Sequence, residues 1–254
     1  MEMTEQYYNH LSPHYKHIYQ DWNASVKRQA VILNALIREN FGDGVKSILD
    51  AACGIGTQAI GLAEQGYRLT ASDISASEIE EARQEAGKRK LEIDFEVVDM
   101  RFVWNHFGRQ FDLVIACDNA IPHLLTDEDI LATFEQFFQC VRPNGGCLIS
   151  VRDYDHLEHG ETKLYPRQVH QTNDGQILLF DYWQFEGDYY DMTTYVIEDK
   201  GEPLATTHVI QGGRYYCITT EKLEHLMSKA GFDNVKTIHD RFFQPVIVGI
   251  KPLD

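Results

Sequence analysis

The chain has 254 residues, of which 43% are hydrophobic, and a formal net charge of −16 at pH 7. This length suffices for one large α/β domain, with or without an insertion, and for a substantial core. The acidic charge argues against a nucleic-acid partner, because binding phosphates requires a basic surface. The same charge fits a small-molecule partner. No apolar run approaches the ~20 residues of a membrane span, so the sequence predicts no membrane contact.

Two helical patterns open the chain, over residues 5–19 and 25–40, and a short apolar strand around Ile48 follows. The turn after that strand is the most informative segment of the sequence. It reads Asp50-Ala-Ala52-Cys-Gly54-Ile-Gly56 and leads into a helix. An acid followed by two glycines is typical of a turn beneath a nucleotide-like ligand, where a Cβ would keep the ligand off the backbone.

Charge distinguishes two classes of cofactor at such a turn. Gly54-x-Gly56-x-x-Ala59 also fits the dinucleotide fingerprint, in which a helix N-terminus binds a pyrophosphate. The carboxylate of Asp50 would repel that pyrophosphate. A cofactor with an ammonium and a sulfonium suits Asp50 better, which favours S-adenosylmethionine (SAM) and leaves NAD as the alternative.

Strands and helices then alternate as far as residue 151. The predicted elements are a strand over 67–72, a helix from Ser75 to about Lys90, strands over 95–98 and 111–116, a helix over 126–141 and a strand over 147–151. Ser75 and Glu78 have the spacing of a capping box. We predict an α/β fold with a doubly wound, mostly parallel, seven-stranded Rossmann-like sheet.

From about residue 166 to 216 the hydrophobic pattern changes to period two, with turn signals at 173–175, 186–188 and 200–202. This pattern predicts a four-stranded antiparallel meander inserted after the fifth strand. A helix and two closing strands follow. The predicted units are N-terminal helices over 1–44 that cover the cofactor site, a Rossmann-like domain over 45–155 and 217–254, and a lid or substrate subdomain over 156–216.

Three acids, Asp50, Asp73 and Asp99, end three consecutive predicted strands. Ligands of a doubly wound sheet bind outside these strand ends. Asp73 follows Gly56 by 17 residues, close to the ~20 at which an acid reaches ribose hydroxyls. Each acid alone could be a helix cap, but their common position favours cofactor binding.

With these features the chain resembles class I SAM-dependent methyltransferases over about 45–153 and from 219 onward. The resemblance implies that Asp50 and the glycine turn support the methionine end of SAM. It implies that Asp73 binds the ribose and that Asp99 and Met100 flank the adenine. Ala52 stands at the third small position of the family turn and departs mildly from it.

Four short segments are similar to those of glycine and sarcosine N-methyltransferases. They are Trp22 with Lys27-Arg28-Gln-Ala30, Cys117-Asp-Asn119-Ala-Ile-Pro-His123-Leu, Val151-Arg152-Asp-Tyr154-Asp155, and Arg214-Tyr-Tyr216-Cys-Ile-Thr-Thr-Glu-Lys-Leu. By this resemblance, Arg28 binds the methionine carboxylate of SAM and Trp22 packs near it. The cofactor-binding residues implied are Trp22, Arg28, Asp50, Ala52, Gly54, Gly56, Asp73, Ile74, Asp99, Met100 and Cys117.

The same resemblance assigns catalysis and acceptor binding. Asn119 and Arg152 are the implied catalytic residues, holding the amine side and the carboxylate of the acceptor, and an arginine fork matches a carboxylate. The implied substrate-binding residues are Asn119, His123, Arg152, Tyr154 and Tyr216. For Arg152, a surface ion pair with Asp153 or Asp155 is the alternative. No dedicated base is expected, because methyl transfer to an uncharged amine depends mainly on orientation.

The implied function is N-methylation of glycine, sarcosine or a similar small amine with SAM as cofactor. The alternatives are O-methylation or N-methylation of another small acceptor, a SAM-binding protein without activity, and a NAD-dependent oxidoreductase. Five cysteines without a C-x-x-C pair predict reduced thiols in a cytoplasmic protein. The spacing of His156 and His159 matches no metal motif, so no metal is predicted.

Overall fold

The computed structural model describes residues 2–157 and 162–253, so His159 lies outside the described residues. Eleven strands occur in this part of the chain. In chain order they are β1 Ser47–Asp50, β2 Arg68–Asp73, β3 Asp94–Val97, β4 Phe111–Ala116, β5 Val141–Ser150, β6 Lys163–Thr172, β7 Gly175–Glu186, β8 Tyr189–Asp199, β9 Thr206–Tyr216, β10 Asp233–Ile238 and β11 Val246–Ile250.

Seven strands form one sheet in the order β10-β11-β5-β4-β1-β2-β3, and β6 to β9 form a separate four-stranded sheet. Strands β1 to β5 pair in parallel, whereas β11 is antiparallel to both of its neighbours. The predicted mostly parallel seven-stranded sheet and the antiparallel meander after the fifth strand are confirmed. The strand order reverses between β1 and β4, and the crevice at such a reversal is where doubly wound sheets bind ligands.

Seven α-helices accompany these strands in the described residues. They are α1 Glu2–Leu11, α2 Trp22–Phe41, α3 Thr57–Glu64, α4 Ala76–Lys88, α5 Val103–Phe107, α6 Asp127–Cys140 and α7 Thr220–Lys229. The prediction of one continuous helix over 5–19 is wrong. Helix α1 ends at Leu11 and continues as a 3-10 helix over Ser12–Ile18, because Pro13 has no N–H to donate within an α-helix.

Helices cover both faces of the large sheet. Ile48 and Leu113 pack towards α2, α3 and α4, while Leu49 and Val114, the next residues along each strand, pack towards the α6 and α7 side. Alternation of side chains along a strand produces this division. Burial on both faces explains why β4 is a nearly continuous apolar run.

The N-terminal segment lies between the two sheets. Tyr7 and Leu11 of α1 pack in one buried cluster with Trp183, Tyr190 and Tyr215 of the four-stranded sheet. Helix α1 also contacts α4. The segment therefore extends over the carboxyl ends of the parallel strands. The division into units at residues 44, 155 and 216 stays a prediction.

All five cysteines are buried and free of disulfides. Burial raises the pKa of the Cys53 and Cys117 thiols well above its usual range. The prediction of core thiols is therefore confirmed. Among the described residues, no helix combines the length and apolarity needed to cross a membrane.

Candidate functional site

A first cavity lies at the carboxyl ends of β1, β2 and β4, beside the glycine turn. Eight predicted site residues line it, namely Ala52, Gly54, Asp73, Ile74, Asp99, Met100, Cys117 and His123. The N-terminal segment supplies the opposite wall through Thr4, Tyr8, Tyr15 and Tyr19. The cavity is therefore formed jointly by the sheet and by the residues that cover it.

The carboxylate of Asp73 connects the glycine turn to the next helix. Its Oδ2 accepts the Gly54 N–H at 2.9 Å, and its Oδ1 accepts the Ser75 N–H at 2.9 Å. Ser75 itself caps α4, because its Oγ accepts the Glu78 N–H at 3.2 Å. Asp73 is therefore not the helix cap, and its remaining lone pairs are available to the cavity.

Two buried carboxylates near the turn lack partners for part of their polar surface. Among the described residues, Oδ2 of Asp50 and Oε1 of Glu78 accept no hydrogen bond, and both side chains are only 1% exposed. Burial raises the pKa of Asp50 to about 8 and holds that of Glu78 well above its usual range. Buried acids left unpaired in this way stabilise a bound cation.

The charge of the cavity fits SAM, which brings a sulfonium and an ammonium and no phosphate. Asp73 and Glu78 line the cavity together with Asp99. Asp99 is already paired, since Arg101 donates to it at 2.8 Å. Asp73 and Glu78 form no ion pair in the described residues, and Asp50 lies behind the lining residues Ala51 and Ala52. These acids can ionise when a cation binds, and Coulomb's law disfavours a pyrophosphate beside them.

Gly56 packs closely against α3 and α4. Its φ is +85°, and an added Cβ would lie 3.0 Å from Ile60 Cδ1 and 3.3 Å from Ala82 Cβ. Gly56 does not line either cavity described here. The expectation that it holds the backbone open for the ligand is therefore not supported, and the structure assigns it to the close packing of α3 against α4.

Replacing Gly56 by valine should lower the free energy of unfolding by roughly 2–4 kcal/mol, from backbone strain and overpacking together. Urea denaturation followed by circular dichroism measures this change. Gly66→Val is the matched control, because Gly66 also has a positive φ (+94°) but nothing within 4 Å of its Cβ position. Equal losses in both variants would contradict the packing account.

A second cavity adjoins the first, and Tyr8, Tyr15, Tyr19 and Asp118 line both. Three arginines face this second cavity: Arg28, Arg152 and Arg167. Arg167 is neutralised, because its Nε donates to the buried Asp181 carboxylate at 2.5 Å. The two cavities form one site with a shared wall and two compartments of different charge.

Arg152 and Arg28 both face the second cavity without an ion pair in the described residues, and Arg152 is the one beside Asn119. No carboxylate among residues 2–157 and 162–253 forms an ion pair with Arg152. The surface ion pair with Asp153 or Asp155 is therefore wrong: Asp153 contacts His156, and Asp155 accepts from Thr220. The Arg152 guanidinium lies 4.2 Å from the Trp183 ring centroid and donates to Tyr190 Oη at 2.9 Å.

Asn119 holds this corner of the site together. Its Oδ1 accepts the Arg152 N–H at 2.9 Å and the Tyr154 hydroxyl at 3.1 Å, and its Nδ2 contacts the same hydroxyl at 2.9 Å. Asp118 and Asn119 both have positive φ, +58° and +70°. Two successive residues in this sparsely populated region indicate a backbone constrained by its surroundings.

His123 is buried and fully hydrogen-bonded. Its Nδ1 donates to the Arg214 carbonyl at 3.0 Å, since a carbonyl can only accept, and its Nε2 accepts from the Tyr8 hydroxyl at 2.7 Å. Burial lowers the pKa of His123 to about 4. The ring is therefore neutral and serves to orient Tyr8.

Several predicted residues lie away from the first cavity. Arg28 lines the second cavity and donates to Ser25 Oγ at 2.9 Å. Trp22 lines neither cavity and donates to Thr57 Oγ1 at 2.9 Å. Tyr216 also lines neither, and its hydroxyl bonds to Asp127 and Lys222. Nothing in this arrangement supports a ligand contact by Trp22 or Tyr216.

Sequence reasoning missed the residues that only folding brings to the site. The capping-box spacing predicts the contact of the Glu78 N–H with Ser75 but not that the Glu78 side chain lines the first cavity. Asp118 follows β4 as the other acids follow their strands, and this position is the signal that could have identified it. The N-terminal tyrosines 8, 15 and 19 have spacings close to helical repeats, which predict a buried face but not what that face contacts.

Comparison with known proteins identifies the family. The family described as a methyltransferase domain matches residues 48–145. The putative methyltransferase YqeM of Bacillus subtilis is 32% identical over 192 residues, which cover 73% of this chain and 72% of that protein. A glycine/sarcosine N-methyltransferase of Halorhodospira halochloris is 26% identical, over 66% of this chain and 70% of its own length.

A second glycine/sarcosine N-methyltransferase, from Parasynechococcus marenigrum, is 29% identical, and the match spans 55% of this chain and about half (49%) of that protein. Among solved structures, SAM-bound CalS10, an amino pentose methyltransferase from Micromonospora echinaspora, superposes with a TM-score of 0.75 at 16% identity. The match covers 89% of this chain and 92% of that one. At this identity the likeness concerns the fold alone.

Proposed function

This chain belongs to the SAM-dependent methyltransferases, and on that premise we propose that it methylates the nitrogen of a small amine that carries a carboxylate, such as glycine or sarcosine. One observation carries the proposal. Arg152 faces the second cavity with its charge unpaired by any carboxylate of the described residues, and that cavity shares a wall with the first. A small anionic acceptor matches such a site.

On the cofactor side, SAM supplies an electrophilic methyl group. The residues that would hold it are Asp73 for the ribose hydroxyls, Asp99 and Met100 beside the adenine, and Glu78 for the positively charged end. Asp50 lines neither cavity and would act on that charge from behind Ala51 and Ala52. The unpaired oxygens of Asp50 and Glu78 support this arrangement, because each gains the partner that it lacks in the ligand-free chain.

On the acceptor side, Arg152 would bind the carboxylate. Its guanidinium is held from two directions, by the Trp183 ring and by the Tyr190 hydroxyl. Tyr190 is itself stacked between Trp183 and Tyr215, at centroid distances of 4.5 and 4.8 Å. A guanidinium that packing already holds in place loses little side-chain entropy when it binds a carboxylate. Orientation of this kind is the main catalytic need of the reaction.

Asp118 is the residue that we assign to the acceptor amine. Its carboxylate lies on the wall between the two cavities and accepts from Tyr19 Oη and from Gln244 Nε2, each at 3.2 Å. Asn119, assigned to the amine by sequence, has its amide occupied by Arg152 and Tyr154, so we propose that it positions Arg152. The neutral His123 is already bonded on both nitrogens, which supports the expectation of no dedicated base.

The names of two relatives support the choice of acceptor, since both are glycine/sarcosine N-methyltransferases. Their identity to this chain is below 30%. The acceptor therefore has to be tested by activity.

The test is a methyl-transfer assay with SAM and pairs of amines that differ only in the carboxylate. Glycine is compared with glycinamide, and sarcosine with N-methylethanolamine. Loss of a charged hydrogen bond costs about 1.5–3 kcal/mol. We therefore expect kcat/KM to be about tenfold to a hundredfold higher for the carboxylate member of each pair.

Equal rates within each pair would overturn the carboxylate assignment. The acceptor would then be a small molecule without a carboxylate, and the proposed cofactor site would stay the same. Failure of every amine while SAM still binds would overturn the N-methylation proposal itself. Calorimetric titration with SAM in parallel separates these outcomes from an inactive preparation.

A further inference from the structure

A cluster of histidines lies outside both cavities, where the 3-10 helix Ser12–Ile18 contacts the four-stranded sheet. His14 comes from the 3-10 helix, Glu198 from β8 and His208 from β9. One ligand atom of each residue lies within 4.8 Å of the others. His208 Nε2 is 3.4 Å from Glu198 Oε1, and the rings of His14 and His208 have centroids 4.9 Å apart.

The register of the sheet places the two strand residues side by side. His208 pairs with Val196, two residues before Glu198, so Glu198 and His208 project from the same face. Val196 belongs to the cluster that packs against α1. The pair therefore faces the N-terminal segment, where His14 completes the group.

The donor set is typical of one class of ligand. Two imidazoles and one carboxylate bind Zn²⁺ with a fourth position left for water. Zinc–nitrogen and zinc–oxygen bonds of about 2.0–2.2 Å place tetrahedral ligand atoms about 3.3–3.6 Å apart. The contact between His208 and Glu198 already has this spacing, and small rotations of the partly exposed His14 ring bring in the third.

Hydrogen bonding supports the same interpretation. No described residue donates to, or accepts from, the His14 ring, and the one carboxylate paired with the His208 ring in the described residues is Glu198. His17 and His170 lie alongside, with ring centroids 5.3 Å apart.

We propose that His14, Glu198 and His208 bind one Zn²⁺ ion, which fastens the N-terminal segment to the four-stranded sheet. The segment that carries His14 also carries Tyr15, and Tyr15 lines both cavities. Zinc therefore holds a wall of the cofactor and acceptor compartments in place. By linkage, zinc tightens SAM binding, and SAM tightens zinc binding by the same factor.

Calorimetric titration of the ligand-free protein with Zn²⁺ tests the site, using the 254-residue chain without a histidine tag. We expect saturation at one zinc per chain and a higher Tm with zinc. Mutating a residue that only hydrogen-bonds to a metal ligand typically weakens metal binding by about 10–100-fold. His208→Ala and Glu198→Gln should therefore weaken zinc binding by about a hundredfold or more and abolish the Tm shift.

His156→Ala is the matched control, because His156 is an exposed histidine beside a carboxylate, Asp153, at 2.9 Å. It should leave zinc binding unchanged. Two results would overturn the proposal: no saturable binding by the unaltered chain, or equal affinity in His208→Ala and in the unaltered chain. Both variants change partly exposed side chains, and their circular dichroism spectra verify the fold.

Discussion

Arg152→Lys is expected to lower kcat/KM for glycine or sarcosine by about tenfold to a hundredfold, while the Kd for SAM stays the same. Lysine keeps the charge but cannot form two parallel hydrogen bonds with a carboxylate, and it loses the planar contact with Trp183. The expected factor is the 1.5–3 kcal/mol of a charged hydrogen bond, about 1.4 kcal/mol for each tenfold. Steady-state kinetics and calorimetry with SAM measure the two quantities.

Arg214→Lys provides the matched control. Arg214 belongs to the same four-stranded sheet and also lies over an aromatic ring, that of Tyr189, but it pairs with Glu186 and Asp191 at the surface. Exposed pairs contribute little, so this variant should retain its activity. If the Arg152→Lys enzyme is as active as the unaltered one, the proposed contact between Arg152 and the acceptor carboxylate is contradicted.

Asp50→Asn should weaken SAM binding by about tenfold to a hundredfold, because the variant loses a buried negative charge next to a cationic ligand. The pH dependence identifies the group. The pKa of Asp50 is about 8 in the ligand-free chain, so at neutral pH the carboxyl is mostly protonated and must release its proton to pair with the cation. SAM affinity should therefore rise with pH between about 6 and 8.

Calorimetry in buffers of different ionisation enthalpy counts the protons released on binding. Asp73 and Glu78 also have raised pKa values and can release protons too. The prediction therefore compares two proteins: on binding SAM, Asp50→Asn should release about one proton fewer than the unaltered chain. Equal proton release by both proteins would contradict the assignment.

The pH dependence of the free energy of unfolding of the ligand-free protein checks the raised pKa of Asp50 independently. Between about pH 4 and 8, folded Asp50 keeps a proton that the unfolded chain has lost. The Asp50 contribution therefore makes the free energy of unfolding fall as the pH rises through this window. Asp50→Asn removes that slope.

Asp112→Asn is the control for Asp50. Asp112 is a buried carboxylate on β4 whose oxygens are fully occupied by the Lys46 and Ser47 N–H groups and by Arg142. Its replacement should reduce stability without changing SAM affinity.

Local patterns in the sequence were enough to predict the architecture and the class of ligand. Alternation of strand and helix patterns, the apolar run of β4 and the period-two meander predicted both sheets, because burial on one or two faces imposes these periods locally. The acid–glycine turn, Asp73 and Asp99 were predicted to share one site, and Gly54, Asp73 and Asp99 do line one cavity, because strand ends and turns are local features.

Which side chains share a cavity depends on long-range packing. Glu78 and Asp118 lie beside Tyr8, Tyr15 and Tyr19 because the N-terminal segment folds back over the strand ends, a contact between residues far apart in the chain. The same packing places the Gly56 Cα next to Ile60 and Ala82 and gives the Asn119 amide two partners within the chain. Hydrogen bonds and close packing are pairwise and long-range, so no local pattern specifies them.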